Sequence, residues 1–283
     1  MKAALSPLPL AEWRPTRDRL HRWARLAGAV RRQCSPHRKH WWHIGLVPSA
    51  RGLTTTPFGT PHGCAELELD LHRGELRLTA DDAREQHLSL AKDPAAEGRD
   101  ELLAALSSLD ATVELPKLDG ASPGDYDAAA ARRYLRVLHA VATALRQLQA
   151  ECHEETSPLQ LWPHHFDLAL SWFSGHAVPG KEHCEPDERN QSVTVGFSTG
   201  DDGDPEPYLY ALAYPWPVGV DVAPLPAGRW HGPGWNGGFL SWGDAVASDD
   251  PQGTVLAFAR ATRQRLAAAQ RYPSPLATAS SRA

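Results

Sequence analysis

Apolar residues that recur every three or four positions predict the helices of this chain. The first predicted helix spans residues 16–33 and has one buried face, made by Leu20, Trp23, Ala27, Val30 and Cys34. The clearest pattern predicts a long helix over residues 126–152, and a shorter helix before it is predicted by Leu102, Leu103, Leu106 and Leu109. A last helix begins after Asp250, a favoured N-cap residue, with Pro251 in its first turn.

Alternation of apolar and polar residues predicts antiparallel strands between these helices. Leu67, Leu69 and Leu71 alternate with acidic residues, and the alternation resumes after Arg73-Gly74, which predicts a hairpin with one solvent-exposed face. Further strands are predicted at residues 40–56, with an interruption near Pro48, and at 111–115, 162–174, 193–197 and 208–214. The fold class that follows is α+β, in which antiparallel sheets are covered by helices.

The order of predicted elements occurs twice, as a helix, a histidine-bearing strand, antiparallel strands and a helix. The two histidine-bearing strands align as His43-x-x-Leu46-x-x-Ser49 and His165-x-x-Leu168-x-x-Ser171. This match favours two pseudo-repeated halves with a crevice between them, and chance similarity explains it equally well. We expect a single domain over residues 1–283, with halves at 13–120 and 121–272 and a flexible tail at 273–283.

Histidine and aspartate in the predicted strands are the candidate catalytic residues. Side chains two positions apart in a strand share a face, so His165 and Asp167 are expected to be neighbours. A carboxylate at that distance can orient an imidazole ring. The same alternation places His43 beside small residues in the first strand. We hypothesise that the three line one pocket, with His165 as general base or ligand, Asp167 orienting it and His43 opposite.

The same residues raise the question of a metal. His183 or Glu185, in the loop that follows, is a candidate closing ligand. Two or three histidines with a carboxylate suit zinc or non-haem iron with one open position. Two alternatives stay open, which are a metal-free polar site at the same residues and a purely structural role for the histidines.

Aromatic residues supply candidate substrate contacts. Tyr208, Tyr210 and Tyr214 fall on one face of a predicted strand, and Trp216 lies in the Pro-Trp-Pro run that ends it. With Trp162, these residues suit a flat ligand that is held by stacking. Aromatic filling of a core that is rich in glycine and proline explains them equally well.

Residues 196–200 match the G-x-S-x-G pattern of a nucleophile elbow, with Ser198 at its centre. An elbow needs a helix directly after the serine. Here the chain continues into Asp201-Asp202-Gly203-Asp204-Pro205, which is typical of a turn. The sequence therefore disfavours a serine hydrolase.

Composition narrows the classes of function. A chain of 283 residues with 42% hydrophobic and 22% charged residues is not disordered. No apolar run reaches the roughly 18 residues that a membrane helix needs, and a net charge of -5 gives no general attraction to nucleic acid. Four cysteines without a C-x-x-C pair are typical of a reducing cytoplasm. The expected partner is a small molecule rather than a nucleic acid or a membrane.

Three long motifs resemble a bacterial family of uncharacterised proteins that is known as a domain of unknown function. They are W-P-x-H-F-D-L-A from residue 162, G-F-S-x-G-D from 196, and P-E-P-Y-x-Y-A-x-A-Y-P-W-P from 205, together with H-W-W-H at 40–43. The resemblance implies one domain in a bacterial cytosol and no particular activity, cofactor or functional residue. We expect a cytoplasmic small-molecule protein that is either an enzyme or, alternatively, a non-catalytic binding or scaffolding module with structural histidines.

Overall fold

Two six-stranded antiparallel sheets form the framework of the structure, a computed structural model that describes residues 5–232 and 234–272. The helices of the described residues are α1 (Leu10–Cys34), α2 (Glu97–Ser107), α3 (Ala128–Ala150), α4 (Pro186–Arg189), α5 (Trp242–Ala247) and α6 (Pro251–Ala269). The α+β class is therefore confirmed. No helix among the described residues combines the length and the apolar character that crossing a membrane requires.

The first sheet contains the predicted hairpin. Its strands are β1 (Val47–Pro48), β2 (Gly52–Thr54), β3 (Phe58–Thr60), β4 (Gly63–Asp70), β5 (Glu75–Ala80) and β6 (Glu85–Ser89). They are ordered β1-β2-β4-β5-β6, and β3 pairs with the other end of β4. Leu67, Leu69 and Leu76 are fully buried on the inner face, as the alternation predicts. The outer face is not the solvent-exposed one that the sequence predicts, because Glu68 and Asp70 are buried there.

The second sheet is the one that carries the candidate site. Its strands are β7 (Gln160–Trp162), β8 (Asp167–Ala177), β9 (Asn190–Ser198), β10 (Tyr208–Tyr214), β11 (Arg229–His231) and β12 (Gly237–Ser241), in the order β11-β12-β10-β9-β8-β7. Helix α6 packs on β9, β10 and β12, and α3 packs on α6 and β8. These helices cover one face, on which Leu170, Trp172 and Val195 are fully buried. The opposite face is left open for a cleft.

The strand predicted over residues 40–56 is wrong at residues 40–46, although β1 and β2 lie in the rest of it, and the strand predicted over 111–115 is absent. Residues 40–46 form a 3-10 turn (Lys39–Trp41) and a bend, because His40 and Trp41 have left-handed φ angles of 53° and 58° that a strand does not allow. Residues 111–115 bury alternate side chains, but their backbone pairs with no strand. Instead, the Gln33 side chain donates to the Glu114 carbonyl and accepts from its N–H, each at 2.8 Å. Local hydrogen bonds of the turn replace the ladder in the first segment, and the Gln33 side chain replaces it at Glu114 in the second.

The structure does not establish whether the two halves of the chain are repeats of each other. Each predicted half contributes one six-stranded antiparallel sheet, and a bridge between Leu46 and Leu161 joins the two sheets. However, the sheets differ in strand order, and the segments around His43 and His165 are not strands. The duplication and the single-domain organisation stay predictions. The predicted tail, 273–283, lies outside the described residues.

The N-cap of α6 gives a first testable prediction. The Asp250 carboxylate accepts a hydrogen bond from the Gly253 N–H at 3.0 Å, as the sequence predicts. Asp250→Ala removes this acceptor, so we expect the free energy of unfolding to fall by about 1 kcal/mol in urea denaturation. The neighbouring exposed Asp249 is the matched control, and Asp249→Ala should change it by less than about 0.5 kcal/mol. Equal losses in both variants would contradict the cap.

Candidate functional site

A tight turn between β7 and β8 places two histidines at the edge of the open face. Trp162 pairs with Asp167 in the ladder, and Phe166 donates from its backbone N–H to the Trp162 carbonyl at 2.8 Å. The continuous strand predicted over 162–174 is therefore wrong at residues 163–166. The turn requires a φ of 59° at Phe166, which is held there by burial of its ring against His21 and Tyr134, both at 5.5 Å between centroids. His164 and His165 lie in this turn.

From Asp167 onward the predicted alternation holds. Asp167, Ala169 and Ser171 share the open face of β8, and all three line the same cavity. Leu168 and Leu170 point to the covered face and are buried. His165 remains next to Asp167 because it lies in the turn that precedes β8, and not because the two share a strand face.

A tyrosine that crosses the neighbouring strand reaches Asp167. Tyr210 on β10 pairs with Gly196 on β9, which in turn pairs with Ala169 on β8. A Cβ atom at Gly196 would lie 2.3 Å from Cζ and 2.4 Å from Oη of Tyr210. Only glycine therefore leaves room for the ring to lie across β9. The Tyr210 hydroxyl then donates a short hydrogen bond to Oδ2 of Asp167.

The second oxygen of this carboxylate is left without a partner. Oδ1 of Asp167 is buried and accepts no hydrogen bond from any described residue. Burial raises the pKa of Asp167, and the hydrogen bond from Tyr210 and the nearby His165 and His164 only partly oppose that effect. Burial, together with the negative charge of Asp167, raises the pKa of Tyr210 well above its usual value. The pair can accept a hydrogen bond from a ligand or, when Asp167 is protonated, donate one.

Two adjoining cavities meet at this pair, and we call them together the Asp167 cleft. Both are lined by His164, His165, Asp167 and Tyr210. The first has a volume of about 480 Å³, and its other walls come from α1, the end of β9, β10 and the loop before β12 through Arg17, His21, Ser198, Tyr208, Leu212 and Trp235, among others. The second has a volume of about 510 Å³ and lies towards the 3-10 turn, with walls from His40, Trp41, Trp162, Ser171 and Thr194, among others.

The structure brings together five of the eight candidate site residues. His165, Asp167, Tyr208 and Tyr210 line the first cavity and Trp162 lines the second. The other three lie elsewhere, namely His43, Tyr214 and Trp216.

His43 is the clearest correction. It is buried behind the 3-10 turn, where Nδ1 accepts a hydrogen bond from the Arg38 N–H at 3.3 Å and the ring packs on Trp41 and His37. Because the segment is a turn and not a strand, His40 takes the position in the second cavity instead. The predicted convergence of His43 with His165 and Asp167 is therefore absent.

The two aromatic residues outside the cleft belong to the far end of β10. The Tyr214 hydroxyl donates to the Glu188 carbonyl at 3.1 Å and accepts from Lys181 Nζ at 2.9 Å. Trp216 packs edge-on against Trp230, with ring centroids 6.4 Å apart. Tyr214 is exposed and is held by these hydrogen bonds, whereas Trp216 is partly buried against the core, the alternative that the sequence left open. Trp235, in the glycine-rich stretch between β11 and β12, lines the cleft in their place.

With the geometry established, comparison with known proteins identifies the family. A family model described as "Family of unknown function (DUF5996)" matches residues 5–278. The chain belongs to this family. No curated protein and no solved structure matched it. The function of this member of DUF5996 is therefore inferred from the geometry of its cleft.

His21 is a cleft residue that the sequence analysis missed in this DUF5996 chain. It lies on α1, and its Nε2 donates to the Pro163 carbonyl at 3.0 Å. Burial, with a smaller contribution from Arg17, lowers the pKa of His21 to about 4. The ring is therefore neutral at pH 7 and ties α1 to the hairpin turn. No residue pattern in α1 distinguished it, because its partner is a carbonyl that lies 142 positions away in the sequence.

Titration of His21 is a second testable prediction. In NMR of the folded protein, the His21 ring should titrate with a midpoint of about 4. Because the unfolded chain protonates this ring nearer 6.5, the free energy of unfolding should fall as the pH drops from about 6.5 towards 4. His21→Gln removes that part of the pH dependence and serves as the control. A midpoint near 6.5 would contradict the buried, neutral ring.

The described residues do not fit the predicted metal centre. They contain no group of three or more histidine, cysteine, aspartate or glutamate side chains arranged to hold a metal ion. His183 and Glu185 lie in the loop before α4, outside both cavity linings. Zinc and non-haem iron therefore have no ligand set at the Asp167 cleft.

The G-x-S-x-G match has a structural explanation. Gly196 makes room for Tyr210, and Gly200 has a left-handed φ of 87° in the turn after β9. Oγ of Ser198 accepts a hydrogen bond from the Gly200 N–H at 3.1 Å. A loop and not a helix follows the serine, so the arrangement is not a nucleophile elbow.

Proposed function

We propose that the protein binds a small organic molecule in the Asp167 cleft. The observation that carries this proposal is the buried Oδ1 of Asp167, which has no hydrogen-bond partner among the described residues and lies between two cavities. A buried acceptor without a partner costs about 1–3 kcal/mol, and more when it is charged. A ligand that donates to this oxygen would recover that cost on binding.

The walls of the first cavity support the same proposal. Its volume of about 480 Å³ is in the range of small-molecule sites. Tyr208 stacks on Phe239 with centroids 5.0 Å apart, and Trp235 stacks on His231 at 4.2 Å. Because each ring is braced from behind, the aromatic walls need little reordering when a flat ligand enters.

A larger depression of about 560 Å³, on the other side of His164, is a weaker candidate. Its polar walls are the side chains of Arg25, Arg32, Gln33 and Glu114, which are all exposed. Exposed side chains of this kind are already hydrated, so a ligand gains little from replacing their water.

The competing prediction, a non-catalytic module with structural histidines, receives support at two positions. His21 and His43 are engaged with backbone groups and brace neighbouring segments. His165 differs because it lies at the mouth of the cleft beside Asp167. We therefore propose ligand binding as the function, with proton transfer at Asp167 and Tyr210 as the chemistry that an enzymatic role would use.

A cytoplasmic location is part of the proposal. Cys34, Cys64, Cys152 and Cys184 are all free thiols that are partly accessible, which suits a reducing compartment. A bacterial source remains the expectation from the sequence motifs.

A fragment screen tests the proposed function. We expect protein-observed NMR with a library of cationic, neutral and anionic aromatic fragments to find binders that shift the indole N–H signal of Trp235. The variant Trp235→Phe lacks this signal and therefore assigns it. Asp167→Asn should weaken the binding of these fragments at least about tenfold, whereas the exposed Asp119→Asn, outside the cleft, should leave their affinity unchanged. Failure of every fragment to shift that signal would overturn the proposal.

A further inference from the structure

We infer that the Asp167 cleft selects organic cations, namely primary ammonium groups carried on a flat apolar body. This inference rests on the proposed function, since it names the class of ligand for the same cleft. Three features of the cleft carry it, which are the single free oxygen, the aromatic walls and the charges of the lining.

The free acceptor at the meeting point of the cavities is one oxygen and not a whole carboxylate. Oδ2 of Asp167 is taken by the Tyr210 hydroxyl, which leaves Oδ1 alone. A guanidinium or amidinium group gains its advantage from two parallel hydrogen bonds to both oxygens. That geometry is blocked here. An ammonium group, which acts as a compact charge with three donors, suits a single oxygen.

The aromatic walls favour the same class. Tyr208, Tyr210 and Trp235 line the first cavity around Asp167. The face of an aromatic ring carries partial negative charge and attracts a cation within about 6 Å. These rings can therefore hold the charged group and also cover the flat part of the ligand.

The charges of the lining do not favour an anion. Nε of Arg17, which lines the first cavity, lies 2.8 Å from Oδ1 of Asp18, so a neighbouring carboxylate balances the Arg17 charge. His21 is neutral at pH 7, because its pKa is lowered to about 4. The charged and titratable side chains that share the cleft with Asp167 are Arg17 and His21 from α1, His40 from the 3-10 turn, His164 and His165 from the hairpin turn, Asp201 after β9, and Tyr208 and Tyr210 from β10.

Matched pairs of probes test the charge directly. The pairs are benzylamine and benzyl alcohol, 2-phenylethylamine and 2-phenylethanol, and tryptamine and tryptophol, each titrated into the full chain while the Trp235 indole signal is followed. In at least one pair we expect the amine to bind about tenfold or more tightly than the alcohol. The preference should disappear in Asp167→Asn and persist in Asp119→Asn.

A pH series adds a readout that needs no variant. Amine affinity should rise as the pH increases and Asp167 ionises, while alcohol affinity should not. An amine that binds no better than its alcohol in every pair overturns the inference and leaves the proposed function intact. The inference also fails if none of the six probes shifts Trp235 while other library fragments do. If the library finds no binder in the cleft either, the proposed function itself fails.

Discussion

Gly196→Ala should destabilise the fold and also displace the Tyr210 ring from the Asp167 cleft. The added Cβ would lie 2.3 Å from Cζ of Tyr210, a distance that no Cβ contact tolerates. Either the Tyr210 ring leaves its position across β9, which breaks its hydrogen bond to Asp167, or the strands separate. Overpacking of this kind costs about 1–3 kcal/mol. Urea denaturation should show that loss of unfolding free energy, together with loss of fragment binding.

Two comparisons isolate the cause of this effect. Gly59 is also in a strand, but its added Cβ would meet only the Cys34 carbonyl at 3.8 Å, so Gly59→Ala should change stability by less than about 0.5 kcal/mol. In a Tyr210→Ala background the clash is absent, and Gly196→Ala should then be nearly neutral. Equal effects at Gly59 and Gly196 would contradict the crossing of β9 by Tyr210.

The parts of the fold that the sequence predicted are those set by local periodicity. The hairpin of β4 and β5 and the strand β10 follow from strict alternation, and α6 follows from its apolar face and the Asp250 cap. The boundaries of the helices follow less directly from the sequence. Helix α1, for example, begins at Leu10 and continues through Pro15. Pro15 lies in the second turn of α1, a position that the predicted helix left out. Strands β3, β6, β11 and β12 and helices α4 and α5 were not predicted.

The errors near the site come from tertiary contacts that override local pattern. Residues 162–174 alternate as a strand, yet burial of Phe166 between α1 and α3 fixes a turn inside them. Around the first histidines, left-handed backbone at His40 and Trp41 exchanges the positions of His40 and His43. Neither result can be obtained from spacing alone, because each depends on residues far away in the chain.

The central pair of the site was only half predicted. The sequence selected Asp167 and Tyr210 separately, one as a partner of histidine and the other as an aromatic contact. Their hydrogen bond spans three strands and depends on the register that places Gly196 opposite Tyr210. A glycine inside the strand pattern of β9 is the signal that could have indicated a close approach across the sheet. Without strand order, the residue that makes the approach stays unknown.

The pH dependence of stability should also report on Asp167. Because burial raises its pKa, the folded protein binds a proton at pH values where the unfolded chain has already lost it. Unfolding then releases a proton, so the free energy of unfolding falls as the pH rises through the raised pKa and stays lower above it. Below the unfolded pKa of about 3.9 the carboxyl is neutral in both states and this loss is absent.

Asp167→Asn should therefore make the protein more stable at neutral pH while it weakens ligand binding. Asparagine has no charge to bury, and its carbonyl can still accept from Tyr210, so the variant should gain on the order of 1–3 kcal/mol relative to the wild type as the pH rises from 3 to 8. Urea denaturation at each pH measures the gain, with Asp119→Asn as the control. Replacing a residue that only maintains the fold lowers the stability of the protein. Replacing a residue that serves ligand binding can instead raise the stability while it lowers the affinity for the ligand. If the difference in unfolding free energy between the variant and the wild type does not change with pH, or if the variant is less stable at neutral pH, then Asp167 does not carry the uncompensated buried charge on which the proposed function rests.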